Sequence, residues 1–93
     1  AQFRVARLAA QGTQESLQAA VALQPRNAEL HNRLGRVLLY SPLGDTGRTM
    51  AELQRAVELD PRNGSYWMDL ALAREIRGDL EGAAAAIRKA RSA

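Results

Sequence analysis

The fold of this chain is decided by a short sequence motif that occurs twice. The letters AVALQPRN occupy residues 20–27 and AVELDPRN occupies residues 56–63, 36 positions later, with six of the eight letters identical. The same offset pairs Leu17 with Leu53 and His31 with Trp67. Self-similarity at a period of roughly 20–50 residues is typical of proteins built from stacked structural units. The sequence therefore predicts a repeat architecture.

The period shortens in the second half of the chain. The dipeptide Gly-Asp occurs at residues 44–45 and again at residues 78–79, which is an offset of 34. Two residues are therefore added just before the first of these dipeptides, where Pro42 interrupts a helix because proline lacks a backbone N–H. We interpret Pro42 and Leu43 as an insertion in one turn of a 34-residue unit.

Each unit contains two segments with the apolar spacing of α-helices. Leu30, Leu34 and Leu38 form such a stripe in the first segment of the middle unit. Asn and Asp residues before the segments are good N-cap residues, and Pro25 and Pro61 end the second segment of a unit. The predicted N-caps are Thr13, Asn27, Asp45, Asn63 and Asp79. The first turn is predicted at residues 11–13, so the chain contains six helices.

Composition excludes several classes of function. A chain of 93 residues makes at most one ordinary domain, and 46% hydrophobic with 25% charged residues is typical of globular proteins. With no Cys, disulfides and thiol chemistry are excluded. No apolar run reaches the roughly 18 residues that span a bilayer. The charge of +3 is spread along the chain, so we predict neither nucleic-acid binding nor direct membrane contact.

A 34-residue helix-turn-helix unit with these landmarks resembles the tetratricopeptide repeat. The landmarks are a W-x2-L spacing in the first helix, Gly-Asp at the turn, small residues in the second helix and a closing proline. The last unit carries Trp67, Leu70, Ala71, Gly78, Asp79, Ala83 and Ala90 at these positions. In the middle unit His31 stands where the family has Trp. The resemblance covers the whole chain, and it is strongest from Asn27 onward.

The resemblance implies an all-α fold, a right-handed superhelical array of antiparallel helix pairs, with about 2.5 repeats and six helices. We expect a single domain over residues 1–93: a partial repeat at 1–26, a repeat with the two-residue insertion at 27–62, and a repeat at 63–93. A lone helix pair cannot bury its apolar stripe, so the units must stack. We therefore expect the chain to be part of a longer protein, or to self-associate through its exposed terminal helices.

The single histidine offers a catalytic and a structural interpretation. His31 is either a general base or metal ligand, or the packed counterpart of Trp67, which we expect to be a core residue. No second His and no Cys exist to complete a metal shell, and no nucleophile motif accompanies it. We favour the packing role, and we predict no enzyme activity, no metal and no cofactor.

The resemblance implies a ligand site on the concave face that the first helices form. The predicted site residues are Asn32, Arg33, Arg36, Tyr40, Asp69, Leu72 and Glu75, and Met68 and Ile76 also belong to this face. Chaperone-tail adaptors of the family clamp a C-terminal carboxylate with Lys and Asn. Here Arg36 and Asp69 occupy two clamp positions, and Asp69 would repel a carboxylate, so that clamp is not intact.

Two uses of these charges stay open. The basic side, Arg33 and Arg36, and the acidic side, Asp69 and Glu75, either contact a ligand or pair with each other at the surface, which is worth about 0–1 kcal/mol. The predicted function is a protein-interaction scaffold that binds a peptide or protein segment along the concave face. The alternative is a structural spacer or self-association module of a larger bacterial protein with no separate ligand. The excess of Arg over Lys is typical of GC-rich bacterial genomes, and it leaves cytoplasm and periplasm both open.

Overall fold

The computed structural model describes residues 2–42 and 45–93 and consists of α-helices joined by short turns. The helices are α1 (Gln2–Gln11), α2 (Gln14–Leu23), α3 (Ala28–Leu39), α4 (Thr46–Leu59), α5 (Gly64–Ile76) and α6 (Leu80–Ser92). No strand occurs in the described ranges. The predicted all-α class and the six helices are therefore confirmed.

The helices form three antiparallel pairs that stack in chain order. Helix α1 packs on α2, α3 on α4 and α5 on α6, and the pairs meet where α2 contacts α3 and α4 contacts α5. The first helices of the last two pairs, α3 and α5, also touch. The molecule measures 39 × 29 × 16 Å, as expected for units that contact only their neighbours. The right-handed sense of the array and the unit boundaries stay predictions.

All five predicted N-caps are confirmed. The side chains of Thr13, Asn27, Asp45, Asn63 and Asp79 each accept a hydrogen bond from a backbone N–H in the first turn of the following helix. Such a cap typically contributes about 1 kcal/mol. Gly12 and Gly78 follow α1 and α5 with φ angles of 66° and 83°, a region in which residues with a Cβ are strained. The turn predicted at residues 11–13 is therefore confirmed.

Hydrophobic cores lie at the boundaries between helix pairs. The first core joins α1, α2 and α3, and its buried members are Val5, Leu17, Ala20, Leu30, Leu34 and Leu38. The second joins α4 and α5, and its buried members are Leu53, Val57, Leu70 and Ala73. Burial of a Leu side chain stabilises a fold by about 1.5–3 kcal/mol. Because each core needs residues from two successive pairs, stacking is the main source of stability.

Close packing within the middle pair depends on Gly35. A Cβ atom at this position would lie 2.6 Å from Cδ2 and 2.7 Å from Cγ of Leu53, which is fully buried. Real Cβ atoms do not approach neighbours so closely, and the buried Leu53 has little room to move. Gly35 therefore sets the distance between α3 and α4.

The connection between α3 and α4 is longer than its counterpart. Residues 40–45 join α3 to α4, whereas residues 77–79 join α5 to α6. Leu43 and Gly44, one half of the predicted insertion and the glycine of the turn, lie outside the described residues.

Deletion of Pro42 and Leu43 is expected to change the free energy of unfolding by less than about 1 kcal/mol, because loop-closure entropy varies slowly with loop length. Urea unfolding followed by circular dichroism measures this change. A loss of several kcal/mol would contradict the interpretation of these two residues as an insertion.

Candidate functional site

A hydrogen bond joins the first helices of the last two pairs. The Asn32 side-chain amide on α3 donates to Asp69 Oδ2 on α5, with Nδ2 and Oδ2 3.0 Å apart. Asn32 is only 3% exposed, so little of its side chain remains for a ligand. These two predicted site residues therefore hold α3 and α5 together, and the Asp69 carboxylate is bound by an amide and not by an arginine.

A row of exposed apolar side chains runs along α5 beside this hydrogen bond. Met68, Leu72 and Ile76 follow one another at intervals of four residues, so they share one side of the helix, and all three are exposed. On α3 the positions equivalent to Leu72 and Ile76 are occupied by Arg36 and Tyr40, and Tyr40 is 69% exposed. We call these five residues the α3/α5 face. The acidic Glu75 is also exposed on α5.

The two arginines of the predicted site differ in their surroundings. Arg33 donates from Nη2 to the Ala9 carbonyl oxygen, 2.7 Å away, in the last turn of α1. Carbonyl groups at a helix end lack partners within the helix, so Arg33 caps α1. Arg36 is exposed and takes part in none of the ion pairs of residues 2–42 and 45–93. Surface pairing of Arg33 and Arg36 with Asp69 and Glu75, one of the two uses that the sequence left open, is therefore absent from the described residues.

A cavity of about 430 Å³ opens beside these arginines, between the α1–α2 turn and α3. Its lining residues are Gly12, Leu17, Arg33, Arg36, Val37 and Tyr40. Leu17 is fully buried beneath the cavity, and the partly buried Val37 presents apolar surface to it. The cavity was not predictable from the repeat pattern, because Gly12 and Leu17 belong to the partial first repeat, where that pattern is weakest.

His31 is buried and both of its ring nitrogens face oxygen atoms. Nε2 lies 2.7 Å from the Pro25 carbonyl oxygen, and Nδ1 lies 2.6 Å from Glu52 Oε1. In the next unit the Trp67 indole N–H donates to the Pro61 carbonyl oxygen at 2.8 Å. The two rings therefore make the same hydrogen bond at equivalent positions, which confirms the packing interpretation of His31. Sequence analysis did not identify its partner, Glu52.

Trp67 itself is less buried than the sequence predicted. It packs against the second core but keeps part of its surface in solvent, next to a shallow depression that Val57, Pro61 and Leu70 help to line. The hydrogen bond to Pro61 holds the indole at the rim of this core, because the carbonyl belongs to the exposed link between units. The fully buried members of the core are Leu53 and Leu70.

Comparison with known proteins agrees with this geometry. The family model described as Tetratricopeptide repeat matches residues 43–93, more than half of the chain. This chain belongs to the tetratricopeptide repeat family. It is 41% identical over 69 residues to a protein of Pseudomonas aeruginosa named as TPR repeat-containing, which covers 74% of this chain. The matched part spans 64% of the length of that relative.

Tetratricopeptide repeats generally mediate protein–protein interaction, and the family is typically not catalytic. In residues 2–42 and 45–93 no three His, Asp or Glu side chains form a group that could hold a metal ion. None of the described helices has the length and apolar character needed to cross a membrane.

The pKa of Tyr66 is raised in this tetratricopeptide repeat array. Burial raises the pKa of its phenol above the ordinary value of about 10, and the carboxylates of Glu29, Asp60 and Asp69 raise it further. Burial and negative charge both disfavour the phenolate, so the folded state holds this proton more tightly than the unfolded chain does.

The stability of the array is therefore expected to fall above about pH 10. Below that pH the phenol is neutral in both states; above it the unfolded chain releases the proton first, so the free energy of unfolding declines. Urea unfolding at about pH 8 and about pH 11 measures the change, and Tyr66→Phe is the control because it has no phenol proton. Equal losses in the two proteins would show that Tyr66 does not contribute.

Proposed function

We propose that this chain is a protein-interaction scaffold that binds a peptide or protein segment along the α3/α5 face. The observation that carries the proposal is the exposed apolar row of Met68, Leu72 and Ile76 beside Arg36 and Tyr40. Contiguous exposed apolar surface rimmed by polar residues is typical of interaction sites. The family resemblance implies that this face is concave, so that an elongated segment would touch both helices.

The residue types on this face suit a binding role. Tyr and Arg are enriched among the residues that dominate binding energy, and Met adapts to partners of different shape. The Asn32–Asp69 hydrogen bond and the close approach at Gly35 hold the backbone under the face in place. A preorganised surface loses little conformational entropy on binding, so more of the interaction energy appears as affinity.

Site-specific photo-crosslinking in cells tests the proposal. A photoreactive amino acid at position 72 is expected to give covalent adducts with a partner protein, while the same group at Arg55 on the outward part of α4 gives none. Adding Met68→Glu to the position-72 protein should abolish the adducts, because it places a charge in the apolar row. Adducts of equal yield from both positions would contradict binding on the α3/α5 face.

The alternative, a self-association module, has its own observation. Phe3 on α1 and Leu80 on α6 are both exposed, and they lie on the two terminal helices. Self-association through these helices should produce dimers whose population rises with concentration in sedimentation velocity. Phe3→Ser and Leu80→Ser should then restore the monomer. A monomer at every concentration would leave partner binding as the function.

A further inference from the structure

We propose that the cavity between the α1–α2 turn and α3 receives a large apolar side chain of the partner segment, and that Arg36 binds an acidic side chain of the same segment. This inference rests on the proposed function and specifies the chemistry of the partner. The occupant is an acidic and apolar peptide segment, which the apolar lining, the charge and the size of the cavity select.

The size and lining of the cavity suit an apolar side chain. Its volume of about 430 Å³ lies within the range of roughly 300–1,000 Å³ found for ligand pockets. Val37 supplies apolar surface above the buried Leu17, and Tyr40 at the rim adds an aromatic ring. Burying a partner's Leu or Phe there removes apolar surface from water on both sides of the contact.

The charges around the cavity are of one sign. Arg33 and Arg36 line it, and no acidic residue does. Arg33 is held by the Ala9 carbonyl oxygen, so its positive charge is fixed at the cavity wall without being neutralised. Arg36 makes no ion pair in the described part of the chain, and a guanidinium group binds a carboxylate through two parallel hydrogen bonds. Both arginines therefore favour an anionic partner.

The equivalent boundary between the second and third helix pairs has a smaller cavity with a single arginine. Its volume is about 160 Å³, with Ala73 and Ile76 in the places of Val37 and Tyr40. Ser41, from the longer α3–α4 connection, Met50 and Arg77 also line it. In sequence, Asp69 stands in the place of Arg33 and Leu72 in the place of Arg36. The first boundary therefore combines the larger cavity with two lining arginines.

The test uses fluorescein-labelled octapeptide pools and fluorescence anisotropy. An acidic pool alternates Asp or Glu with Leu, Ile or Phe; a basic pool replaces the acids by Lys; a polar pool keeps the acids and replaces the apolar residues by Ser. The wild-type protein is expected to bind the acidic pool about tenfold more tightly than either other pool, a difference typical of one lost charge pair or one lost anchor.

Arg36→Glu tests the charge directly. This variant should lose about tenfold in affinity for the acidic pool and should prefer the basic pool. Arg88→Glu is the matched control, because it makes the same charge change at an exposed position on α6, in the third helix pair, which contributes no residue to the cavity. Tyr40→Ala should weaken binding of the acidic pool without changing the preference for acid over Lys. Circular dichroism checks that every variant is folded.

Two outcomes would overturn the inference. They are a wild-type protein that binds no pool or all pools equally, and an Arg36→Glu variant that behaves like Arg88→Glu. If crosslinks from position 72 persist in either case, the scaffold function stands and only the partner chemistry is wrong. If those crosslinks are absent as well, the proposed function fails.

Discussion

Replacing Leu53 by alanine is expected to lower the free energy of unfolding by about 3–4 kcal/mol. Leu53 is 0% exposed, belongs to the second core and fills the space that Gly35 leaves on α3. The substitution removes apolar contacts and leaves a cavity between helices that cannot close, because backbone and caps fix their separation. A protein of this size has a total stability of about 5–14 kcal/mol, so a large fraction would be lost.

Urea unfolding followed by circular dichroism at 25 °C measures this effect. Leu23→Ala is the matched control, because Leu23 on α2 is exposed and its truncation should cost less than about 1 kcal/mol. Similar losses for the two substitutions would show that Leu53 does not fill the boundary between the second and third helix pairs.

Exchanging the His31–Glu52 pair for Trp and Ala is expected to preserve stability to within about 1 kcal/mol, although each single substitution destabilises. At the offsets of the repeat, Trp67 and Ala86 are the equivalents of His31 and Glu52. One unit therefore combines a small ring with a long acid, and the other combines a large ring with a methyl group. Either combination provides a ring N–H for the proline carbonyl oxygen.

The single substitutions break this complementarity in opposite ways. Glu52→Ala leaves His31 Nδ1 without its partner and should cost about 1–3 kcal/mol. His31→Trp forces a larger ring against a carboxylate that has lost its own partner, and should cost about 2–3 kcal/mol. Restoration of stability in the double variant would show a coupling close to the sum of the two single losses.

Thermodynamic measurement of all four proteins by urea unfolding completes this double-mutant cycle. Glu58→Ala on the same helix is the control for a general effect of removing an acid from α4, because its pair with Arg55 is exposed and should contribute less than about 1 kcal/mol. Additive losses in the double variant would show that the two positions do not form one packing unit.

The residues that are most deeply buried in the second core differ from those that the repeat pattern predicts. The repeat pattern predicts that Trp67 is a core residue of the last unit. Its indole instead lies at the rim of the second core and donates a hydrogen bond to the Pro61 carbonyl oxygen. Leu53 and Leu70 are the side chains that this core encloses completely. A repeat pattern indicates which residue types recur, whereas the burial of each side chain depends on how the neighbouring helix pair packs against it.

The candidate site likewise combines features that the sequence predicted with features that depend on the tertiary structure. Arg36, Tyr40 and Leu72, three of the site positions that the family resemblance implies, are exposed on the first helices or just after them. The resemblance did not predict that Asn32 is buried against Asp69 or that Arg33 caps α1. The cavity beside Arg36 was not predicted either, because two of its six lining residues, Gly12 and Leu17, come from the poorly matched first pair.

The sequence by itself determined the six helices, their five N-caps and the pairing of helices into repeats. These features depend on residues within a few positions of one another, where the hydrogen bonds of a helix and its caps are made. Only the tertiary structure decided which charges remain free and where a cavity opens. The Asn32–Asp69 and Arg33–Ala9 hydrogen bonds join residues 37 and 24 positions apart, so they depend on the angle and distance at which successive helix pairs stack.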